Sequence, residues 1–274
     1  MGPIPVMVNG LPGNVARTIA AGVHAHPGFS LAPVSFTGPE IQETEFAVGD
    51  TAVSLIRPDA RSSVLDRIPE TAIFVDFTHP GAVNANAAFY CEHRRPFVMG
   101  TTGGDRERLV RTVEESAIPA VIAPNMAKQI VGFQAMMTYA AENFPGLFDG
   151  YSLEIRESHQ AGKADTSGTA KAMVGLFNRL GCDFSLEEIE KERDPARQKE
   201  EWGIPPEHLG GHAWHTYTLT APDGSVRFAF THNINGREVY VPGALDAVSF
   251  LAARVAENPG GRVYTMIDVL RAGG

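Results

Sequence analysis

A histidine, a lysine and a small-residue helix start stand close together in Glu157-Ser158-His159-Gln160-Ala161-Gly162-Lys163-Ala164-Asp165-Thr166-Ser167-Gly168-Thr169-Ala170. His159 titrates near neutrality and can give a proton while a neighbouring group accepts hydride. Lys163 can form a charge-assisted bond to an anion. Ser167-Gly168-Thr169, opening a helical pattern, offers hydroxyls, bare amides and the positive end of the helix dipole to the same anion. Each residue also has a plainer role: Ser167 as a helix cap, Lys163 as a solvated side chain, His159 as a hydrogen-bonded loop histidine. Their concentration in one short stretch favours the chemical reading. Glu157 and Asp165 read as a carboxylate pair, with acid/base work and supporting hydrogen bonds both open.

A second feature lies near the other end of the chain. Gly10-x-x-Gly13 falls between a strand pattern and a helix pattern, where glycines let a backbone approach a pyrophosphate and the helix N-terminus supplies amides. Ala16 stands in place of a third glycine and Pro12 has no amide to donate, so a ligand-free turn has an equal claim on this loop. Arg17, one turn into the helix, can meet a phosphate or face solvent. The stretch where a carboxylate would grip the adenosine ribose reads Val34-Ser35-Phe36-Thr37-Gly38, and Glu40 follows only after Pro39. A turn of hydroxyls does not repel a 2′-phosphate, so NADPH is expected, with NADH as the alternative. No arginine partner is evident in that turn.

These residues need elements to position them. In the first half, strand patterns at Pro5–Asn9, Leu31–Phe36, Ala72–Phe77, Phe97–Met99 and Ala120–Ala123 alternate with helical patterns at Asn14–Val23, Gly81–Tyr90 and Asp105–Glu115. Such alternation predicts right-handed crossovers and a parallel sheet. The second half changes character. Helical patterns at Lys128–Glu142, Ser167–Leu180 (stopped by Gly181) and Ala244–Glu257 accompany strands at Tyr151–Glu157, His212–Thr220 and Val226–His232. Ala221-Pro222-Asp223-Gly224 is turn chemistry for antiparallel pairing. Glu187–Gly210 reads as a charged surface excursion. The expected fold is α/β: an N-terminal Rossmann-like, doubly wound parallel sheet and a C-terminal α+β substrate and oligomerisation domain with an open mixed sheet. The expected limits are 1–128 joined by 244–274 for the first, and 129–243 for the second.

With 274 residues, 43% of them hydrophobic, the chain can bury a sizeable core. A net charge of −9 repels phosphate backbones and argues against a nucleic-acid partner. Cys91 and Cys182 form no CxxC pair and no Cys/His cluster, which fits a reducing compartment without a structural metal. Met1–Gly10 lacks the basic and apolar stretches of a signal peptide, Val6 breaks a myristoylation pattern, and no apolar run could span a bilayer. A cytoplasmic protein with no membrane partner is expected. His212-x-x-His215 does not predict a metal site, because residues three apart in a strand point to opposite faces. One of the two is expected to border the substrate pocket.

The stretch ESHQ…K…D.SGTAKA resembles the signature of 4-hydroxy-tetrahydrodipicolinate reductases, the plant-type branch above all. Asp76-Phe77-Thr78, Phe97-Val98-Met99-Gly100-Thr101-Thr102-Gly103-Gly104-Asp105, Pro124-Asn125-Met126, Gly211-His212-Ala213, Asn235-Gly236-Arg237 and Tyr264-x-Met266-Ile267-Asp268-Val269-Leu270-Arg271 follow in the family's order. The resemblance implies reduction of a cyclic imine dicarboxylate during lysine and diaminopimelate synthesis, by a homo-oligomer, dimer or tetramer. His159 would be the proton donor, with Lys163 holding a substrate carboxylate and aiding proton transfer. Ser167, Gly168 and Thr169 would bind carboxylate oxygens, and Arg237 would orient the site. The coenzyme would lie along Gly10, Gly13, Asn14, Val15 and Arg17, then Asp76, Phe77 and Thr78. Gly100, Thr101 and Thr102 would wrap the nicotinamide ribose, with Pro124, Asn125 and Met126 bordering the ring. Two departures stand out: Gln160 where bacterial members carry a second histidine, and Leu11-Pro12 with Asn14-Val15-Ala16 in the glycine loop. Two rivals follow: a relative that reduces another cyclic imine, and a non-catalytic NADPH-binding sensor.

Overall fold

The apolar run Ile4–Asn9 forms β1, whose last four residues are all buried, as expected of a strand covered on both faces. In the computed structural model, which describes residues 2–258 and 260–273, the chain divides into two compact units. They are Met1–Lys128 with Tyr240–Gly274, and Gln129–Val239.

After β1 come α1 (Asn14–Ala25), β2 (Phe29–Leu31), β3 (Val34–Phe36), β4 (Glu45–Val48), β5 (Thr51–Ile56), β6 (Ile73–Asp76), α2 (Val83–Glu92), β7 (Phe97–Met99), α3 (Arg106–Glu114) and β8 (Ala120–Ile122). The second unit is carried by α4 (Lys128–Asn143), β9 (Ser152–His159), α5 (Gly168–Arg179), β10 (Glu190–Glu192), α6 (Pro195–Glu200), β11 (His212–Thr220) and β12 (Arg227–Asn235). The chain then returns to the first unit with α7 (Tyr240–Ala256), β13 (Val263–Tyr264) and α8 (Met266–Arg271). No helix among the described residues is long and apolar enough to cross a membrane.

The first unit holds a six-stranded sheet in the order β13-β8-β7-β6-β1-β2, with every pairing parallel. Its core includes Phe36, Phe74, Tyr90 and Phe97, with the Phe36–Phe74 and Phe74–Tyr90 rings meeting edge to face. Parallel strands put all their carboxyl ends on one edge, so the loops after Asn9, Asp76, Met99 and Ile122 share that edge.

Two expectations need correction here, and one further element appears. Leu31–Phe36 is not one strand: β2 pairs with β1, β3 pairs with β5 in a separate sheet ordered β3-β5-β4, and Pro33 lies at the break. Proline has no amide for a ladder, although its carbonyl still accepts from Ser54 N at 2.9 Å. The hairpin of β4 and β5, turning through Gly49 at φ +59°, was not anticipated. The helix expected from Gly81 begins at Val83, because Pro80-Gly81-Ala82 forms a 3-10 turn against the His79 ring.

The second unit is a mixed sheet ordered β10-β9-β11-β12. Its core includes Ile155, Met173, Phe177, Tyr217 and Leu219, with α5 laying buried Ala170, Met173, Val174 and Phe177 into that cluster. Gly181, at φ +107°, ends the turn after α5 in a conformation a side chain rarely adopts. The excursion 187–210 is not a solvated face throughout. It supplies β10, parallel to β9, and buries Glu192 and Gln198.

Candidate active site

In the first unit, Thr78 and Thr101, both expected to meet a coenzyme, close on one buried carboxylate. Asp76 Oδ1 accepts from Thr101 Oγ1 (2.7 Å), Thr78 Oγ1 (2.8 Å) and Thr78 N (3.1 Å). Its Oδ2 accepts from Tyr90 OH (2.7 Å) and Asn86 Nδ2 (2.9 Å). Asp76 is therefore fully engaged inside the protein. Asp76 ties the Phe77-Thr78 loop to the Gly100-Thr101-Thr102 loop. Burial first, then the Asp76 charge, pushes the Tyr90 hydroxyl well above its ordinary value, which keeps it a donor to Asp76.

The glycine loop packs directly on this assembly. Gly10 has φ +105°, and a Cβ there would fall 2.2 Å from the Phe77 carbonyl oxygen. A Cβ at Gly100 would fall 2.3 Å from the Phe77 ring. Gly10 thus makes room for the Phe77 backbone and Gly100 for the Phe77 ring. Gly13 caps α1 without any side-chain hydrogen bond and the first turn holds no acidic residue, so the N-terminus there is left for an anion. Asn14 and Arg17 are exposed, and the Arg17 guanidinium sits 5.2 Å over the Phe46 ring. Pro124 is exposed and Asn125 Oδ1 caps Ala127 N at 2.9 Å, whereas Met126 is buried. Gly10→Ala is expected to weaken nicotinamide-coenzyme binding about tenfold or more and to lower the melting temperature. Fluorescence titration and thermal melts read both; wild-type values would mean the loop has room to relax.

Beside the turn after β3 stand two charged groups, of which sequence reading placed Glu40 but not Arg61. Arg61 Nη2 donates to the Thr37 carbonyl at 3.3 Å, and Nη1 donates to Asn86 Oδ1 at 2.8 Å. The Glu40 carboxylate folds back on the other side, where a Cβ at Gly38 would lie 2.3 Å from its oxygens.

In the second unit, β9 runs two residues further than expected and carries Glu157, Ser158 and His159 on its buried end. Alternation along the strand sends Glu157 and His159 to one face and Ser158 to the other. Pairing with β11 sets His215 opposite Glu157 and Ala213 opposite His159. His215 thus joins Glu157 and His159, while His212 Nε2 meets Ser158 Oγ at 2.9 Å on the opposite face. One ligand atom from each of Glu157, His159 and His215 lies within 4.8 Å of the others. Residue types alone would allow a cation. The Glu157 charge is already answered by Arg193, whose Nη2 meets Oε1, and that guanidinium opposes a second cation.

Arg193 and Gln198 brace this cluster, and sequence reading did not single them out. Arg193 also donates through Nε to the Lys163 carbonyl (2.8 Å), and Gln198 Nε2 donates to the His159 carbonyl (2.6 Å). The expected carboxylate pair separates in role: Glu157 is buried against Arg193 and accepts from Ser167 N (3.1 Å), while exposed Asp165 takes Lys163 Nζ at 2.7 Å. Ser167 does cap α5, accepting from Thr169 N at 3.2 Å, and Gly168 is exposed beside it. Arg237 lies just past the end of β12, where Asn235 pairs with His212; its guanidinium stands against Gly211.

The charges follow from this packing. Burial raises the Glu157 carboxyl, and the nearby His215 and Arg193 more than reverse it, down to about 2. The Arg193 contact is the firm one, since His215 Nε2 stands 3.6 Å from Oε2, beyond a hydrogen bond. Burial, then repulsion by His215, lowers His159 from 6.5 to about 3, against the opposing pull of Glu157. Burial, then His215, lowers His232 from 6.5 to about 4. All three folded values lie below the unfolded ones, so the unfolded chain binds more protons at acid pH. The stability these groups contribute is complete above about pH 6.5. The histidines lose theirs as pH falls toward 3–4, and Glu157 loses its share between 4.5 and about 2. The melting temperature is expected to be on the order of 5 °C lower at pH 5 than at pH 7.5. A flat profile in scanning calorimetry would mean these rings are solvated.

Comparison with known proteins converges on one family. The model described as dihydrodipicolinate reductase, N-terminus, matches residues 4–126, and the one described as dihydrodipicolinate reductase, C-terminus, matches 130–270. A probable 4-hydroxy-tetrahydrodipicolinate reductase 2, chloroplastic, of Oryza sativa subsp. japonica is 48% identical over 273 residues, covering 98% of this chain and 83% of the relative. The Arabidopsis thaliana 4-hydroxy-tetrahydrodipicolinate reductase 2, chloroplastic, is 47% identical over 274 residues, covering 98% and 78%. Both relatives are chloroplastic by name, so the cytoplasmic location expected above finds no support in them. Among solved structures, the dipicolinate-bound dihydrodipicolinate reductase of Paenisporosarcina sp. TG-14 superposes with a TM-score of 0.66 at 19% identity, covering 96% of this chain and 97% of that one. At that identity it speaks for the fold.

Proposed function

The chain belongs to the dihydrodipicolinate reductase family, and on that premise we propose that it reduces 4-hydroxy-tetrahydrodipicolinate to tetrahydrodipicolinate in lysine and diaminopimelate synthesis. The observation that carries this reading is the buried His159 beside the Ser167 helix start, in a chain similar along almost its whole length to reductases of that name. A bound nicotinamide dinucleotide supplies the hydride. Gly10, Gly13 and the start of α1 hold its pyrophosphate, with Phe77, Thr78, Gly100 and Thr101 along the rest of the coenzyme.

The substrate is a dianion, and the second unit answers it with the α5 start and Lys163. Loss of the 4-hydroxyl as water, with gain of hydride, consumes one proton, and His159 is the group that passes it to the substrate. Lys163 is paired with Asp165 in the free chain, so a substrate carboxylate takes over an ammonium already held in place. Lys163→Ala is expected to raise KM at least tenfold and to lower kcat; unchanged kinetics would remove that role.

NADPH is the proposed electron donor, supported by Arg61 at the Thr37 turn, where a 2′-phosphate gains from a cation. Glu40 against Gly38 favours a second reading, NADH, because a carboxylate there suits ribose hydroxyls. The test is coenzyme oxidation, followed by near-ultraviolet absorbance, with freshly generated 4-hydroxy-tetrahydrodipicolinate and parallel runs with NADPH and NADH. Saturable oxidation is expected, faster with NADPH. Coenzyme binding without turnover would point to another cyclic imine. The proposal includes a homo-oligomer, supported by β12, an outer strand with alternating exposed residues. Light scattering should then give a multiple of 29.4 kDa, and a monomer mass would remove it.

A further inference from the structure

Among the described residues, His159 Nε2 and both ring nitrogens of His215 are buried with no hydrogen-bond partner. Interiors seldom leave such groups unsatisfied, and exceptions tend to mark sites that work. Both rings approach the same oxygen: Glu157 Oε2 lies 3.9 Å from His159 Nε2 and 3.6 Å from His215 Nε2. A carboxylate oxygen offers two lone-pair sites, and Ser167 N–H already holds one on Oε2. Oε1 is taken by Arg193. On Oε2, the oxygen both rings approach, one acceptor site therefore remains for two imidazoles.

We propose that His159 and His215 are a proton-loading pair: the cluster takes up one proton when the dianionic substrate binds, and His215 competes with His159 for the free site on Glu157 Oε2. His215 is thus a positioning residue for the proton His159 gives. The inference rests on the substrate reading above.

The surroundings limit the cluster to one proton. Facing it are Glu157 from β9, Arg193 from the segment after β10, Lys163 from the loop after β9, Tyr217 from β11 and His232 from β12. Glu157 and Arg193 cancel, so with both rings neutral the pocket carries little net charge. A second proton would put two cations on rings whose centroids are 5.1 Å apart, next to Arg193. A first proton is opposed by burial and by Arg193, and a bound dianion removes that opposition. The ring of His215 also stacks on His232 at 4.7 Å, which fixes its plane while leaving its nitrogens unbonded.

The measurement is proton uptake on binding pyridine-2,6-dicarboxylate, a planar dianion without reducible chemistry. Titration calorimetry of the full chain with coenzyme, in buffers of different ionisation enthalpy, gives the count. Close to one proton per dianion is expected near neutral pH. His159→Gln should abolish the uptake. In His215→Phe, which keeps a ring against His159 and His232, the uptake midpoint should move up by about one pH unit, a tenfold change in proton affinity. An unmoved midpoint with unchanged uptake would make His215 packing only and overturn the proposal. Binding with no uptake in the wild type would overturn it as well. Failure of the dianion to bind at all would instead sink the substrate reading beneath it. If His215→Phe does not fold, ¹⁵N-histidine spectra of the wild-type complex decide: one imidazolium, on His159, supports the pair, and none, two, or one on His215 instead overturns it.

Discussion

His159→Gln is expected to lower kcat by about 10²–10⁴-fold while leaving the coenzyme dissociation constant unchanged. The split follows from where the residue sits. His159 ends β9 in the second unit, its backbone carbonyl held by Gln198 and its ring turned to Glu157, while the glycine loop and the Asp76 network belong to the first unit. Glutamine keeps the polarity of the side chain and cannot carry a proton at neutral pH. Single-turnover kinetics and coenzyme titration read the two quantities separately. A kcat within a factor of two of wild type would remove His159 as donor and turn attention to Lys163.

Glu157→Gln is expected to destabilise the chain by about 3–5 kcal/mol, the range for breaking a buried ion pair from one side. The Glu157 side chain is fully buried, and Arg193, which is mostly buried, would lose its only anion among the described residues. Glutamine leaves an oxygen for Ser167 N–H, so the loss is dominated by the stranded guanidinium rather than by the helix cap. Urea melts should show a lower midpoint with an unchanged slope. The double variant Glu157→Gln/Arg193→Met should recover part of the loss, because it removes the unpaired charge. If the single variant melts like wild type, the pair is solvated and Glu157 is no organiser of the site.

Both effects concern contacts that a linear reading saw unevenly. The chemical stretch around His159 was legible because its residue types and spacing are local, and Ser167 does cap a helix starting at Gly168. Arg193 was not legible: it sits among charged residues in 187–210, and such a run looks like a solvated face until β10 pairs with β9 and brings it to Glu157. Some signal was present in Asp194-Pro195, an N-cap followed by a proline at the first helical position, which marks structure rather than solvated chain. The parity argument on His212 and His215 was sound for one strand, and the two rings do part company. It said nothing of the neighbouring strand, which is where His215 finds Glu157 and His159.

The sequence by itself determined the local elements and the family. Alternating strand and helix patterns, glycines at Gly10 and Gly181, the cap at Ser167 and the ordered motifs depend on neighbours within a few residues, and short-range chemistry is written in order along the chain. Only the tertiary structure decided which polar groups answer one another. Register between β9 and β11 chose His215 for Glu157, the parallel pairing of β10 brought Arg193 to the same carboxylate, and the pairing of β6 with β7 made Asp76 the tie between the loops that follow them. Those choices rest on side-chain packing between segments distant in sequence. A shift of one residue in the β9–β11 register would send His215 to the face opposite Glu157.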